Sequence, residues 1–162
     1  MINTGFPKGA AFADWLVNVG ASTTSGQLSI IKARDNMQSV DETLATKWIT
    51  TDKTNCAAAC MDDNDLNDTE KQACTDDCTA NPGAVEYTSF NAPLDVPEEQ
   101  KCGRAVYTDL HVSATGQDHP GDRFPTGCEE RDLSDQEKAV EFMLFDLSAC
   151  IMDDHKPPKP PS

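Results

Sequence analysis

Gly103-Arg104-Ala105-Val106-Tyr107-Thr108-Asp109-Leu110-His111-Val112-Ser113 is the stretch that decides the fold. Its period of two predicts a strand with Val106, Thr108, Leu110 and Val112 on one face and Ala105, Tyr107, Asp109 and His111 on the other. Downstream, Ser134-Asp-Gln-Glu137 is a capping box that opens a helix over 135–150, in which Val140, Met143, Leu144 and Leu147 form the apolar face and Phe142 and Phe145 widen it. Upstream, Val85–Phe90 alternates and is rich in β-formers, so a second strand is expected there. Lys47–Thr51 reads as a third and Gln27–Ile31 as a short fourth. At the start of the chain Phe12, Trp15, Leu16 and Val19 recur at helical spacing before Gly20, which predicts a helix over 7–19. Strands interleaved with helices make a mixed α/β module over 1–151.

Residues 52–82 interrupt the connection between two of these strands. Cys56, Cys60, Cys74 and Cys78 stand as C-x3-C, thirteen residues, C-x3-C. Residues four apart share a helix face, so an antiparallel helical hairpin would join Cys56 to Cys78 and Cys60 to Cys74. Tetrahedral zinc is the competing reading of four converging sulfurs, but zinc turns favour C-x2-C or C-x4-C. The segment offers only Ala57, Ala58, Ala59, Met61, Leu66 and Ala73 for a core. A Cys60–Cys74 bridge would supply about 3 kcal/mol that this packing lacks. A hairpin that depends on disulfides belongs in an oxidising compartment, which predicts a secreted or cell-surface protein.

Charge narrows the partners. With 28 acidic against 13 basic residues the chain carries a net −15, which disfavours nucleic acid and anionic lipid and leaves cationic partners, divalent ions or a solvated surface. No apolar run approaches the roughly 18 residues of a membrane span, so no membrane insertion is expected. The N-terminus has no signal-peptide pattern, so export would depend on a segment upstream of Met1. Residues 152–162, ending in HKPPKPPS, read as a proline-rich tail or linker.

The strand together with F-P-T-G-C and L-S-D-Q-E-K-A-V-E-F-M-L-F-D-L resembles the closing strand, loop and helix of class I glutamine amidotransferase-like domains. The nearer likeness is to the ThuA-like branch found in large secreted bacterial multidomain proteins. The opening K-G-A-A-F-A-D-W-L-V-N-V-G-A-S is similar to a helix from the second half of such domains. The resemblance implies a partial flavodoxin-like sheet of which this chain supplies the later strands, carrying the disulfide-stapled hairpin as an insertion. It also implies that His111 stands where the family keeps a general base. Val112-Ser113 replaces the segment that would bring the orienting glutamate, and no Gly-x-Cys-x-Gly elbow occurs in the 162 residues. Catalytic residues are therefore expected to be absent, and the chain reads as a non-catalytic accessory, binding or structural module. Two alternatives are half of an amidotransferase-like enzyme whose nucleophile lies upstream or on another chain, and a subunit of an extracellular assembly. In each case the partner is a missing upstream segment or another protein subunit.

For a ligand or metal, Asp109, His111, Asp118, His119 and Asp122 cluster at the end of the best-patterned strand and in the loop that follows, where open α/β sheets place their crevices. The structural alternative is a histidine bonded to its own loop. Asp63-x-Asp65-x-Asn67 matches the start of a calcium loop, but Asp68 replaces its glycine and Cys74 its glutamate. No cofactor is expected, with calcium the one ion that the acidic residues could suit. Cys102, Cys128 and Cys150 leave an odd thiol: Cys128 could pair with either of the others, and the remaining one is expected to bond to a missing upstream segment or another subunit, a free reactive thiol being the alternative.

Overall fold

A computed structural model describes residues 1–30, 33–34, 36–51, 60–61, 66–80, 83–110, 112, 132–149 and 151–157, with the side chains of 77–80 outside that description. Helix α1 spans Pro7–Asn18, strand β1 Thr46–Thr50 and helix α2 Asp68–Ala80. Strand β2 spans Val85–Ala92, a single 3-10 turn follows at Glu98–Gln100, and strand β3 spans Gly103–Thr108. Helix α3 closes the series at Asp135–Ser148. The protein is mixed α/β, as its sequence pattern predicts.

The strands form one antiparallel sheet in the order β1-β2-β3. A flavodoxin-like sheet is built from parallel strands, and no parallel pair occurs among the described residues. Thr51 and Ala84 close the base of the 52–82 excursion, with Thr51 N donating to Ala84 O at 2.9 Å. The cysteine-rich segment is thus the long connection of a β-hairpin. The β1–β2 ladder slips in register around Trp48, pairing Lys47 with Thr88 and then Ile49 with Tyr87. That bulge lets two consecutive side chains, Trp48 and Ile49, both enter the core.

Helices α1 and α3 cover one face of the sheet. Phe12 of α1 lies 6.1 Å from the Trp48 ring and 6.4 Å from Tyr87, while Phe142 of α3 sits 4.7 Å from Phe12 and 5.5 Å from Trp15. The helix ends follow the sequence signals. Gly20 takes φ +71° just past α1, Asn67 and Glu70 exchange a capping pair at α2, and Ser134 with Glu137 does the same at α3.

Three expectations change. Residues 27–30 are irregular: Leu28 is buried in the core and Ile30 packs against it, but the segment contributes no ladder, so alternation there reports burial alone. The strand beginning at Gly103 stops at Thr108, after which Leu110 N turns to bond the Thr108 hydroxyl. Helix α3 buries Gln136, Ala139 and Met143 while Leu144, Phe145 and Leu147 stay exposed. In the C-terminal segment Asp154 is buried against Arg104.

Candidate functional site

Sheet β1-β2-β3 has two edges, and they are treated differently. The β1 edge is covered by the N-terminus: Ile2 bridges Ile49, Asn3 N donates to Trp48 O, and Thr50 N donates to Met1 O. At the other edge, Asp109 N bonds Glu86 O at 2.9 Å, and Tyr87 stands opposite Thr108 in the ladder. In an antiparallel ladder this spacing turns the backbone groups of Ala105, Tyr107 and Asp109 toward β2 and those of Arg104, Val106 and Thr108 outward. Among the described residues no backbone group bonds these outward ones from beyond the sheet.

Helix α3 is tied to β3 through Asp146, which pairs with Arg104. Phe142 fixes the side of α3 that meets α1, and α1 rests through Phe12 on Trp48 and Tyr87, above β1 and β2. Leu144, two residues on, projects from the side of the helix away from α1. Val140, Leu144 and Leu147 recur at helical spacing, with Leu133 just before the Ser134 cap; Val140 packs against the core, and the three leucines are exposed. Leu144 is 60% exposed, Leu133 45% and Leu147 38%. Covering the exposed part of each leucine is worth about 1 kcal/mol.

A buried ionic cluster sets the position of α3 over β3. Arg104 Nη2 lies 2.7 Å from Asp146 Oδ2 on α3, and its Nη1 lies 2.8 Å from Asp154 Oδ1 in the C-terminal segment. Lys8 of α1 reaches the same two carboxylates at 2.9 and 3.1 Å. Ser89 completes the cluster: its hydroxyl donates to Asp154 Oδ2 and accepts from Trp48 Nε1 at 2.7 Å and Arg104 Nη2 at 3.0 Å. Two cations against two anions leave no net charge inside. Burial alone would raise the Asp154 pKa, but hydrogen bonding and charge from Arg104, with Lys8 behind, hold it below the usual carboxylate range. The guanidinium pKa of Arg104 is correspondingly raised against its own desolvation. Tyr87 beside the cluster is pushed up as a phenol, first by burial and then by the Asp146 charge. These groups are committed to one another and hold the fold.

Of the residues singled out from sequence, Asp109 is half-buried just past β3, its Oδ1 accepting from Asn36 Nδ2 at 2.9 Å. Tyr107 shares its face, its pKa raised by burial first and then by hydrogen bonding to Asp109. Glu86, fully buried on the neighbouring strand, is a third acidic group there that sequence reading did not mark. An open recess between Arg34, Asn36, Asp109 and Val112 adjoins it. His111, Asp118, His119 and Asp122 lie outside the described residues, as do Cys56, Cys128 and Cys150 and the side chain of Cys78. Cys60 and Cys74 form a disulfide with Cα atoms 5.8 Å apart, and Cys102 is an exposed free thiol. Among the described residues no group of three or more His, Cys, Asp or Glu side chains is placed to hold a metal, and no helix is long and apolar enough to cross a membrane. Compared with protein-family models, curated proteins and solved structures, the chain has no significant match.

Proposed function

We propose that the chain is a non-catalytic accessory module of a secreted or cell-surface protein, and that it works by docking another polypeptide against the open side of its core. The observation that carries this reading is the outward backbone of β3, which has no backbone partner beyond the sheet among the described residues, together with the exposure of Leu133, Leu144 and Leu147. An open sheet edge and exposed leucines are each costly in water, and docking another polypeptide lowers that cost. The partner is a further segment of the same precursor or a separate subunit. The Cys60–Cys74 bond supports the oxidising compartment. The sequence resemblance to amidotransferase-like domains agrees with an incomplete sheet, though the proposal does not need a flavodoxin-like order for the strands.

Hydrogen exchange on the protein as its cell secretes it, compared with the isolated chain, tests the proposal. The outward amides of β3, at Arg104, Val106 and Thr108, should exchange slowly in the secreted protein and quickly in the isolated chain. A Leu144→Glu substitution should abolish that difference while leaving the circular dichroism of the isolated chain unchanged. Equal exchange in the two preparations would refute docking at this side.

A further inference from the structure

Resting on the reading of a secreted chain, we infer that Asn67 is a glycosylation site, its side-chain nitrogen taking an oligosaccharide from a lipid-diphosphate donor as the chain is exported. Asn67-Asp68-Thr69 is the one place in the 162 residues where an asparagine is followed at the second position by serine or threonine. Asp65, two positions upstream in the sequence, adds the acid that the longer bacterial form of this acceptor motif carries. The fold presents the motif to solvent: Asn67 lies midway along the loop that the Cys60–Cys74 bond closes, and Asn67, Asp68 and Thr69 are all exposed. A bulky, hydrated glycan needs such a surface position. The cap of α2 uses the other end of the acceptor amide, with Asn67 Oδ1 accepting from Thr69 N at 3.0 Å and from Glu70 N at 3.1 Å. Transfer forms a bond between Nδ2 and the anomeric carbon of the donor sugar and breaks that carbon's bond to the phosphate oxygen. One Nδ2 proton passes to a base of the transferase, and the lipid diphosphate leaves. The product keeps Oδ1, so the cap survives the modification. The disulfide on the same loop supports export through an oxidising compartment.

Mass spectrometry of the chain as its own cell secretes it tests this. Trypsin cuts after Lys53 and Lys71, so after reduction one peptide, 54–71, holds the motif. That peptide should carry the added mass of an oligosaccharide, and fragmentation should place it on Asn67. Thr69→Ala should remove the added mass, and Thr69→Ser should retain it. Asn67→Asp should also remove it while the helical circular dichroism stays unchanged, because aspartate caps a helix as well as asparagine does. That variant separates loss of the acceptor from loss of the fold. An unmodified 54–71 peptide from a secreted chain with Cys60 and Cys74 joined would overturn the inference and leave the secreted reading standing. Added mass that persists in Asn67→Asp would overturn it too, since the sugar would then sit elsewhere. A chain retained in the cell with both thiols reduced would overturn the secreted reading and this inference with it.

Discussion

Arg104 and Asp154 meet twice: Nη1 lies 2.8 Å from Oδ1 and Nη2 donates to Oδ2 at 3.1 Å. This fork ties β3 to the C-terminal segment across 50 residues of chain. It is the kind of bidentate pair that only arginine makes, and its burial makes it expensive to break.

Replacing Asp154 by asparagine should therefore cost about 3–5 kcal/mol at neutral pH, because Arg104 and Lys8 would keep their buried charge with one carboxylate fewer. The pH dependence has a fixed sign. A carboxyl pKa depressed in the folded state contributes stability above its unfolded value, near 3.9, and loses it as pH falls through the folded value. Urea unfolding of wild type and Asp154→Asn should differ by a constant amount from pH 7 to about pH 5, and the gap should narrow as pH falls below about 4 toward the depressed folded value. A gap that persists unchanged to pH 2 would mean that the carboxylate charge is not what stabilises.

The same cluster explains what the sequence concealed. Caps and helical periods are local, so α1, the start of α2 at Asn67 and the start of α3 at Ser134 could all be read from a few residues. The orientation of α3 could not, because hydrophobic periodicity assigns leucines to the core and aspartates to water. Here Asp146 is buried by partners 42 and 138 positions away, Arg104 and Lys8. Turning that face inward leaves Leu144 and Leu147 outside. The open side that now carries the functional proposal is thus a consequence of long-range charge pairing that no window of sequence displays. Of the five residues expected to hold a ligand, only Asp109 falls within the described chain, paired with Asn36.

Cys60 and Cys74 supply a separable prediction. Their bond closes a short loop beside α2, which buries little apolar surface of its own. Cys60→Ser with Cys74→Ser should remove about 3 kcal/mol of local stability. The loss should appear as fast hydrogen exchange throughout Asp68–Ala80 and a drop in helical circular dichroism. Tryptophan fluorescence, which reports Trp48 in the core, should still unfold at the wild-type denaturant midpoint. A midpoint that falls with α2 would show that the hairpin and the sheet unfold together.

Gly9 sits inside α1, where helix propensity argues for alanine by about 1 kcal/mol. The packing argues the other way. A Cβ at this position would lie 2.1 Å from the carbonyl oxygen of Asn3 and 2.6 Å from the Phe6 ring. The ring could turn aside, but Asn3 is held by its amide bond to Trp48 O and by Gly5 N on its side chain, in the residues that cover the β1 edge. Gly9→Ala must move either α1 off the core or residues 1–3 off β1. We therefore expect a net destabilisation of about 2 kcal/mol or more, in the range of overpacked cores. Exchange at Asn3 and Thr50, whose amides bond across that edge, should accelerate before exchange in β2. If Gly9→Ala instead raises the melting temperature, the close approach of α1 to Asn3 is not a feature of the protein in solution.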